Sequence, residues 1–436
     1  MKIPQKPPTK LSKTEYVDNL MRLLEKYSTN KELKLSIKNF NEKYYYFEEM
    51  LYRETDKKIP KEDIWFLMKF EREKGYHKGI TIGNYKFKFN LTNHISRKLH
   101  EFDLNLGGNL TNDELIPAED KELFLLSSII EESINSSRLE GASTTIEVAK
   151  DMILNKKKPK DKSQKMILNN YLAMQKILDL KGQKLTKEIL LELHKIITHE
   201  TLEDESQEGS FRDTNEIKVI DNLTGEVLYN PPNYDEVDKL IEDFCDFYNN
   251  EQDYFIHPIV KANILHFLFG YIHPFYDGNG RCARCIFFMF LTSKNYWLFE
   301  YLSISRIIIK SPSQYARAYL YSEYDENDLT YFIQYKIDKI DLAFKDLKLY
   351  IKNKLEEKQN SMKYLKFTGV TERQAQILGY YENNKNRVFS VLEVAERFAI
   401  TKQTARVDLL NLVKLQFLSQ KKSGNKTLFL RGKKFD

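Results

Sequence analysis

Seven residues with chemical capacity fall within the twelve-residue stretch HPFYDGNGRCAR, His273 to Arg284. His273 is the group there able to take a proton near neutral pH. Gly278 and Gly280 permit positive φ and a close approach of backbone N–H groups to a ligand. A helix opening near Asn279 or Gly280 would aim its positive dipole end into the same loop. Arg281 and Arg284, three apart, would put two guanidinium forks on one face of its first turn. An N-terminus, free N–H groups and two Arg forks describe a polyphosphate cradle. Asp277 makes sense beside phosphates chiefly when a divalent cation such as Mg²⁺ bridges them. The chemistry this predicts is in-line attack of a hydroxyl on a nucleotide phosphate, with His273 as base. A plain solvated turn would not need all seven groups at these spacings.

Several elements must position that loop. PIVKANILHFLFGYI reads as a buried helix that delivers His273 at its exit, where Pro274 and the DGNG turn stop it. An apolar helix from about 281 to 294 carries the chain away. Leu123, Leu126, Ile130, Ile134 and Leu139 recur at helical spacing from Ala118 to Glu140, and Gly141 reads as the stop. Further helical patterns lie at about 164–180, 186–200, 234–250 and 312–358. IKVIDNLTGEVLYNPP, 217–232, alternates around Asn222–Gly225 as a β-hairpin. Residues 1 to about 110 mix short helical and strand-like pieces without a motif, and Gly107, Gly108 and Pro117 punctuate a linker.

The last stretch, 368–436, reads as helix, helix, turn, helix and hairpin, a winged helix-turn-helix. It holds 13 Lys and Arg against 6 Asp and Glu, an excess of +7, which leaves the rest of the +5 chain near −2. Thr401, Lys402, Gln403, Thr404 and Arg406 would open its second helix, with Lys421, Lys422 and Lys426 on the wing. DNA is one partner this pattern fits, and protein docking is the other.

The whole chain sets outer bounds. At 436 residues, with 42% hydrophobic and 30% charged residues, it is of ordinary globular composition. Three cysteines, Cys245, Cys282 and Cys285, give no disulfide framework. The CxxC formed by the last two has no second pair to make a zinc site, so burial is the expectation. No apolar run reaches the ~20 residues that span a bilayer, and the basic N-terminus has no signal-peptide core. The cytoplasm is therefore the expected location, and no membrane partner is expected. Asn222-Leu223-Thr224 is a chance glycosylation match in that setting.

HPFYDGNGRCAR resembles the HPFxDGNGRxxR motif of the Fic (Fic/Doc) family, whose members transfer AMP from ATP to protein hydroxyls. The similarity runs over about residues 118–345. It includes LHKII (193–197), GSFR (209–212), the hairpin ending NPP (230–232) and HPIVKANILHFLFGYIHPF (257–275). The resemblance implies His273 as general base and Asp277 as Mg²⁺ ligand. It implies Gly278, Asn279 and Gly280 as the anion hole, Arg281 on phosphate and Arg284 on the γ-phosphate. It also implies that the hairpin near 217–228 is a flap, which pairs with the target protein through main-chain hydrogen bonds. Gly280 stands where a phosphorylating branch of the family has Lys, which favours nucleotide transfer.

SSRLEG, 136–141, resembles the family's inhibitory motif [ST]xxxE[GN], read as Ser136, Glu140 and Gly141. A carboxylate in the last turn of a helix is disfavoured by the dipole unless a cation meets it. The resemblance supplies Arg284 as that cation, withheld from the γ-phosphate. The expected fold is therefore mainly α: a Fic-type helical core with a β-hairpin flap, plus a C-terminal winged helix-turn-helix. The expected domains are 1–110, without an assigned role; 111–350, the core, with its inhibitory helix at about 118–141; and 365–436, the winged helix. The expected activity is autoinhibited AMP transfer from ATP, with Mg²⁺, to a Tyr, Thr or Ser hydroxyl, releasing pyrophosphate. Self-modification and a homodimer stay open. So do removal of AMP, transfer of another nucleotide, and a DNA-binding regulator that senses nucleotide.

Overall fold

A computed structural model describes residues 2–8, 21, 23–55, 58–106, 116, 121–221, 224–382, 388–398, 400–423 and 426–435. The expected linker glycines, the start of the 118–141 helix, Asn222–Leu223, Ala399 and Gly424–Asn425 lie outside these residues. The chain divides into two compact units, one of residues 1–146 with 159–343 and one of 147–158 with 344–436.

Two helices form the centre of the first unit, Pro258–Ile272 (the incoming helix) and Asn279–Ser293 (the outgoing helix). In each, 13 of 15 residues are buried. A helix buried around its whole circumference has no solvent face, so these two can only be central. The incoming helix starts where Pro258 follows His257, whose ring accepts from the Ile259 N–H. It ends at His273, which turns left-handed (φ 50°, ψ 58°) and donates its N–H to Phe269. Gly278, at φ 82°, caps the outgoing helix. Around this pair pack the Lys121–Leu139, Lys162–Asp179, Lys187–Thr198 and Val237–Asn249 helices.

The first 110 residues fall in this same unit. Main-chain bonds tie them in: Lys88 donates to Asn327 (3.2 Å) and accepts from Leu329 (2.8 Å). Tyr44 and Tyr76 both donate to Asp328 Oδ2 at 2.7 Å, Arg72 Nη1 donates to Tyr331 at 2.6 Å, and Lys69 pairs with Asp325 at 2.8 Å. Each of these buried or half-buried polar groups thereby finds its partner in the other segment.

The expected hairpin is present but short: Val219–Ile220 pairs antiparallel with Val227–Tyr229. Asp221 and Gly225 close the turn, with Gly225 N–H to Asp221 O at 2.8 Å. The Lys121–Leu139 helix stops one residue before Glu140, which lies in the following turn with Gly141 at φ 96°. That corrects the expectation of Glu140 in the last helical turn. Helix ends fix such boundaries only to a residue or two.

In the second unit Glu372–Glu382, Val391–Arg397 and Lys402–Lys414 are helical, and Phe389–Ser390, Lys426–Arg431 and Leu418–Ser423 pair in that order as an antiparallel sheet. Ser390 and Glu393 form a capping box, and Thr401 caps the last helix. Ile377, Leu409, Phe417 and Phe429 fill its core. Lys402, Gln403, Arg406, Lys421 and Lys422 are exposed. Among the described residues no helix is long and apolar enough to cross a membrane.

Candidate active site

His273 lies where the incoming helix ends, and its Nδ1 is 3.2 Å from the Gly270 carbonyl. A carbonyl can only accept, so Nδ1 carries the proton and Nε2 keeps its lone pair. Burial pushes the imidazole pKa below its ordinary value, although the Gly270 hydrogen bond and the Glu140 charge pull it back up. Both effects leave the His273 imidazole with its free lone pair on Nε2, able to accept a proton.

Asn279 and His194 brace the loop that follows. The Asn279 side chain donates to Phe275 O (2.8 Å) and accepts from Phe275 N–H (2.9 Å). Its amide is spent inside the loop, so what Asn279 can offer an anion is its main-chain N–H, as expected of the first turn of a helix. His194 is fully buried and stacks on Phe275, with centroids 3.7 Å apart. Its Nε2 lies 3.0 Å from the Asp277 carbonyl, and its Nδ1 accepts from Gly209 N–H at 3.0 Å. One neutral tautomer serves both bonds.

That arrangement has a consequence for stability. Burial pushes the His194 pKa down to about 4, with the Asp277 carbonyl opposing. The unfolded chain binds this proton near pH ~6.5, so between the two values the unfolded state holds more protons. Stability is therefore complete above the unfolded value and is lost as pH falls through the folded one, by up to about 3 kcal/mol. The melting temperature of the parent should fall more steeply than that of His194→Gln as pH drops towards the folded value. Parallel curves would contradict the assignment.

The two guanidiniums are met by different neighbours. Arg281 is fully buried, with Nη1 donating to Ile197 O at 3.1 Å and Nη2 3.5 Å from Asp277 Oδ1. Arg284 turns to the Lys121–Leu139 side instead. Its Nε donates to Ser136 Oγ (2.7 Å), and its Nη2 donates to Ser136 O (3.0 Å) and Glu140 Oε1 (2.7 Å). Side chains three apart lie about 60° apart around a helix, enough for different neighbours to claim them. One Arg281 donor is thus held by the Ile197 carbonyl. Nε and Nη2 of Arg281 and Nη1 of Arg284 are buried without a hydrogen-bond partner. Orphaned cationic donors in a dry site are costly unless an anion completes them.

Glu140 lies against Gly280 and Arg284. A Cβ on Gly280 would lie 2.3 Å from Glu140 Oε1 and 3.3 Å from Arg284 Nη1. The carboxylate therefore rests on the bare first turn of the outgoing helix, beside N–H groups that have no helical partner. Burial pulls the Arg284 pKa down, but Glu140 overrides it and the net shift is upward. Behind the pair Glu132 is fully buried and accepts from Ser303 (3.2 Å), from Ser305 N–H (3.0 Å) and from the Ser305 hydroxyl (2.5 Å). Burial there pushes Lys336 down to about 7.

Asp277 is half exposed and accepts from Gly278 N–H at 2.5 Å. Among the described residues no group of three or more His, Cys, Asp or Glu could hold a metal ion. One carboxylate beside free N–H groups suits Mg²⁺ held mainly by water and substrate phosphates, not a protein cage. Cys245, Cys282 and Cys285 are buried free thiols. Burial raises all three, Cys245 and Cys285 to about 12, so each thiol is protonated at neutral pH.

Residues 184–291 match the family described as Fic/DOC, and that stretch is a Fic domain. Among curated proteins the chain is similar to the protein adenylyltransferase Fic of Nematostella vectensis, 30% identical over 106 residues. That match covers 24% of this chain and 22% of the relative. The same-named protein of Drosophila grimshawi is 35% identical over 122 residues, 28% of this chain and 23% of the relative. The chain thus spans under a quarter of the length of these relatives. Among solved structures, Fic-1 (residues 134–508) of C. elegans aligns with 74% of this chain and 86% of its own, at 16% identity and a TM-score of 0.49.

Proposed function

We propose that this chain is a protein adenylyltransferase held off by its own Glu140. The observation that carries the reading is the Arg284–Glu140 contact at 2.7 Å, made over the bare Gly280 turn with Arg284 Nη1 unpartnered. The terminal phosphate of ATP has the same needs as the Glu140 carboxylate: a fork donor, helix N–H groups and room above Gly280.

When the terminal phosphate takes Arg284, the α-phosphate lies along the outgoing helix start within reach of His273. A target hydroxyl attacks the α-phosphorus. Its proton passes to His273 Nε2, the new oxygen–phosphorus bond forms, and the bond to the β-phosphate oxygen breaks, releasing pyrophosphate. Asp277 would hold Mg²⁺, which when bound would supply charge neutralisation to the phosphates. The N–H groups of Gly278, Asn279 and Gly280 do so without moving. The Val219–Tyr229 hairpin, with Ile220 and Val227 exposed, offers strand edges to the target's main chain.

Incubation of the Glu140→Gly protein with ATP labelled on the α- or the γ-phosphate tests the reading. The α-label should stay on protein and the γ-label should not. Retention of the γ-label alone would mean phosphate transfer and overturn the proposal.

A further inference from the structure

Arg212 is buried to within 3% of full enclosure, yet it has no carboxylate partner among the described ion pairs. Its Nε donates to His273 O at 2.9 Å, Nη1 to Thr214 O at 3.0 Å and Nη2 to Pro232 O at 2.5 Å. Its own main-chain N–H donates to Pro274 O at 2.9 Å. A buried cation satisfied only by carbonyls is an expensive choice, since a neutral side chain could fill the same volume.

The identity of the three carbonyls explains that choice. Thr214 precedes the Val219–Ile220 strand and Pro232 follows Val227–Tyr229, so two arms grip the two roots of the hairpin. The third holds the main chain of His273 in left-handed geometry (φ 50°, ψ 58°), a conformation that costs a non-glycine residue of order 1 kcal/mol or more. Two nearby contacts reinforce the link. Tyr229 donates to Tyr271 O at 3.0 Å, and Tyr276 donates to the Asp213 carboxylate.

We propose that Arg212 is a positioning residue that sets the hairpin in register with His273, so that a hydroxyl carried on the hairpin edge arrives at Nε2. Only a planar fork with donors on three nitrogens can meet carbonyls in three directions. An ammonium at the end of a lysine has neither the spread nor the plane. The rate consequence rests on the transferase reading; the structural consequence does not.

The test compares Arg212→Lys and Arg212→Gln, both in the Glu140→Gly background. ATP affinity, read by displacement of a fluorescent nucleotide, should stay within about threefold. Turnover should fall about 100-fold, as misplacing reactants by an ångström does. Amide exchange across 213–221, 224–232 and 273 should accelerate about tenfold, the equivalent of losing one such bond. ATP affinity and turnover falling together with the melting temperature would show a merely structural residue and overturn the proposal. Unchanged exchange and turnover would overturn it as well. If the Glu140→Gly parent transfers nothing, the transferase reading fails by itself. The exchange measurement still decides on the clamp: faster exchange at both roots supports it and unchanged exchange rejects it.

Discussion

Glu140→Gly should raise adenylyl transfer by about 10- to 100-fold, the rate equivalent of the 1.5–3 kcal/mol carried by a charge-assisted hydrogen bond. The gain has two sources. Arg284 Nη2 loses its 2.7 Å partner and becomes available to a phosphate. The space above Gly280, where the Glu140 Oε1 now lies, is vacated for that phosphate. Glu140→Gln separates these sources, because an amide oxygen still accepts from Nη2 and still fills the space but carries no charge. Its rate should fall between parent and Glu140→Gly. Glu140 lies outside the helix, with 29% of its side chain exposed, so neither change should unfold the chain. Equal transfer by parent and Glu140→Gly in a labelling assay would refute the inhibitory contact.

His273→Ala, built into Glu140→Gly, should remove about 10²- to 10⁴-fold of the rate, the usual worth of a positioned general base. ATP should still bind, because none of the donors around Gly280 and Arg284 belongs to the imidazole. Undiminished transfer would sink the assignment. The pH profile supplies a second check. With its pKa held below the ordinary histidine value by burial, His273 is unprotonated at neutral pH and the rate should be flat there. The rate should be lost as pH falls through the folded pKa, on the acid side of ~6.5. Removing Glu140 also removes a charge that raises this pKa, so the acid limb in Glu140→Gly should lie lower still.

How much of this was legible in the sequence depended on where the partners lie. The 273–284 loop could be read because its chemistry is written in residue types packed close together. Glu140 could be read through SSRLEG. Glu132 was missed, although it lies four positions before Ser136 on the same helical face, a signal open to inspection. His194 and Arg212 were noticed only as parts of LHKII and GSFR. Their partners are main-chain carbonyls of Asp277, His273, Thr214 and Pro232, which any residue could supply. The protein partners of Arg281 and Arg284 could not be read, because spacing along a helix fixes the angle of a side chain but not the neighbour that claims it. The joining of residues 1–110 to Asp328 was invisible, since Tyr44 and Tyr76 lie 284 and 252 positions from it.

The contest between Glu140 and a terminal phosphate for Arg284 is tested most directly by intact mass of the Glu140→Gly protein after incubation with ATP and Mg²⁺, beside Glu140→Gly/His273→Ala. The account predicts an adenylyl increment on the first, mapped to a hydroxyl side chain, and none on the second. An unmodified Glu140→Gly protein, tested with a range of candidate target proteins that also stay unmodified, would contradict it. So would the same increment on both.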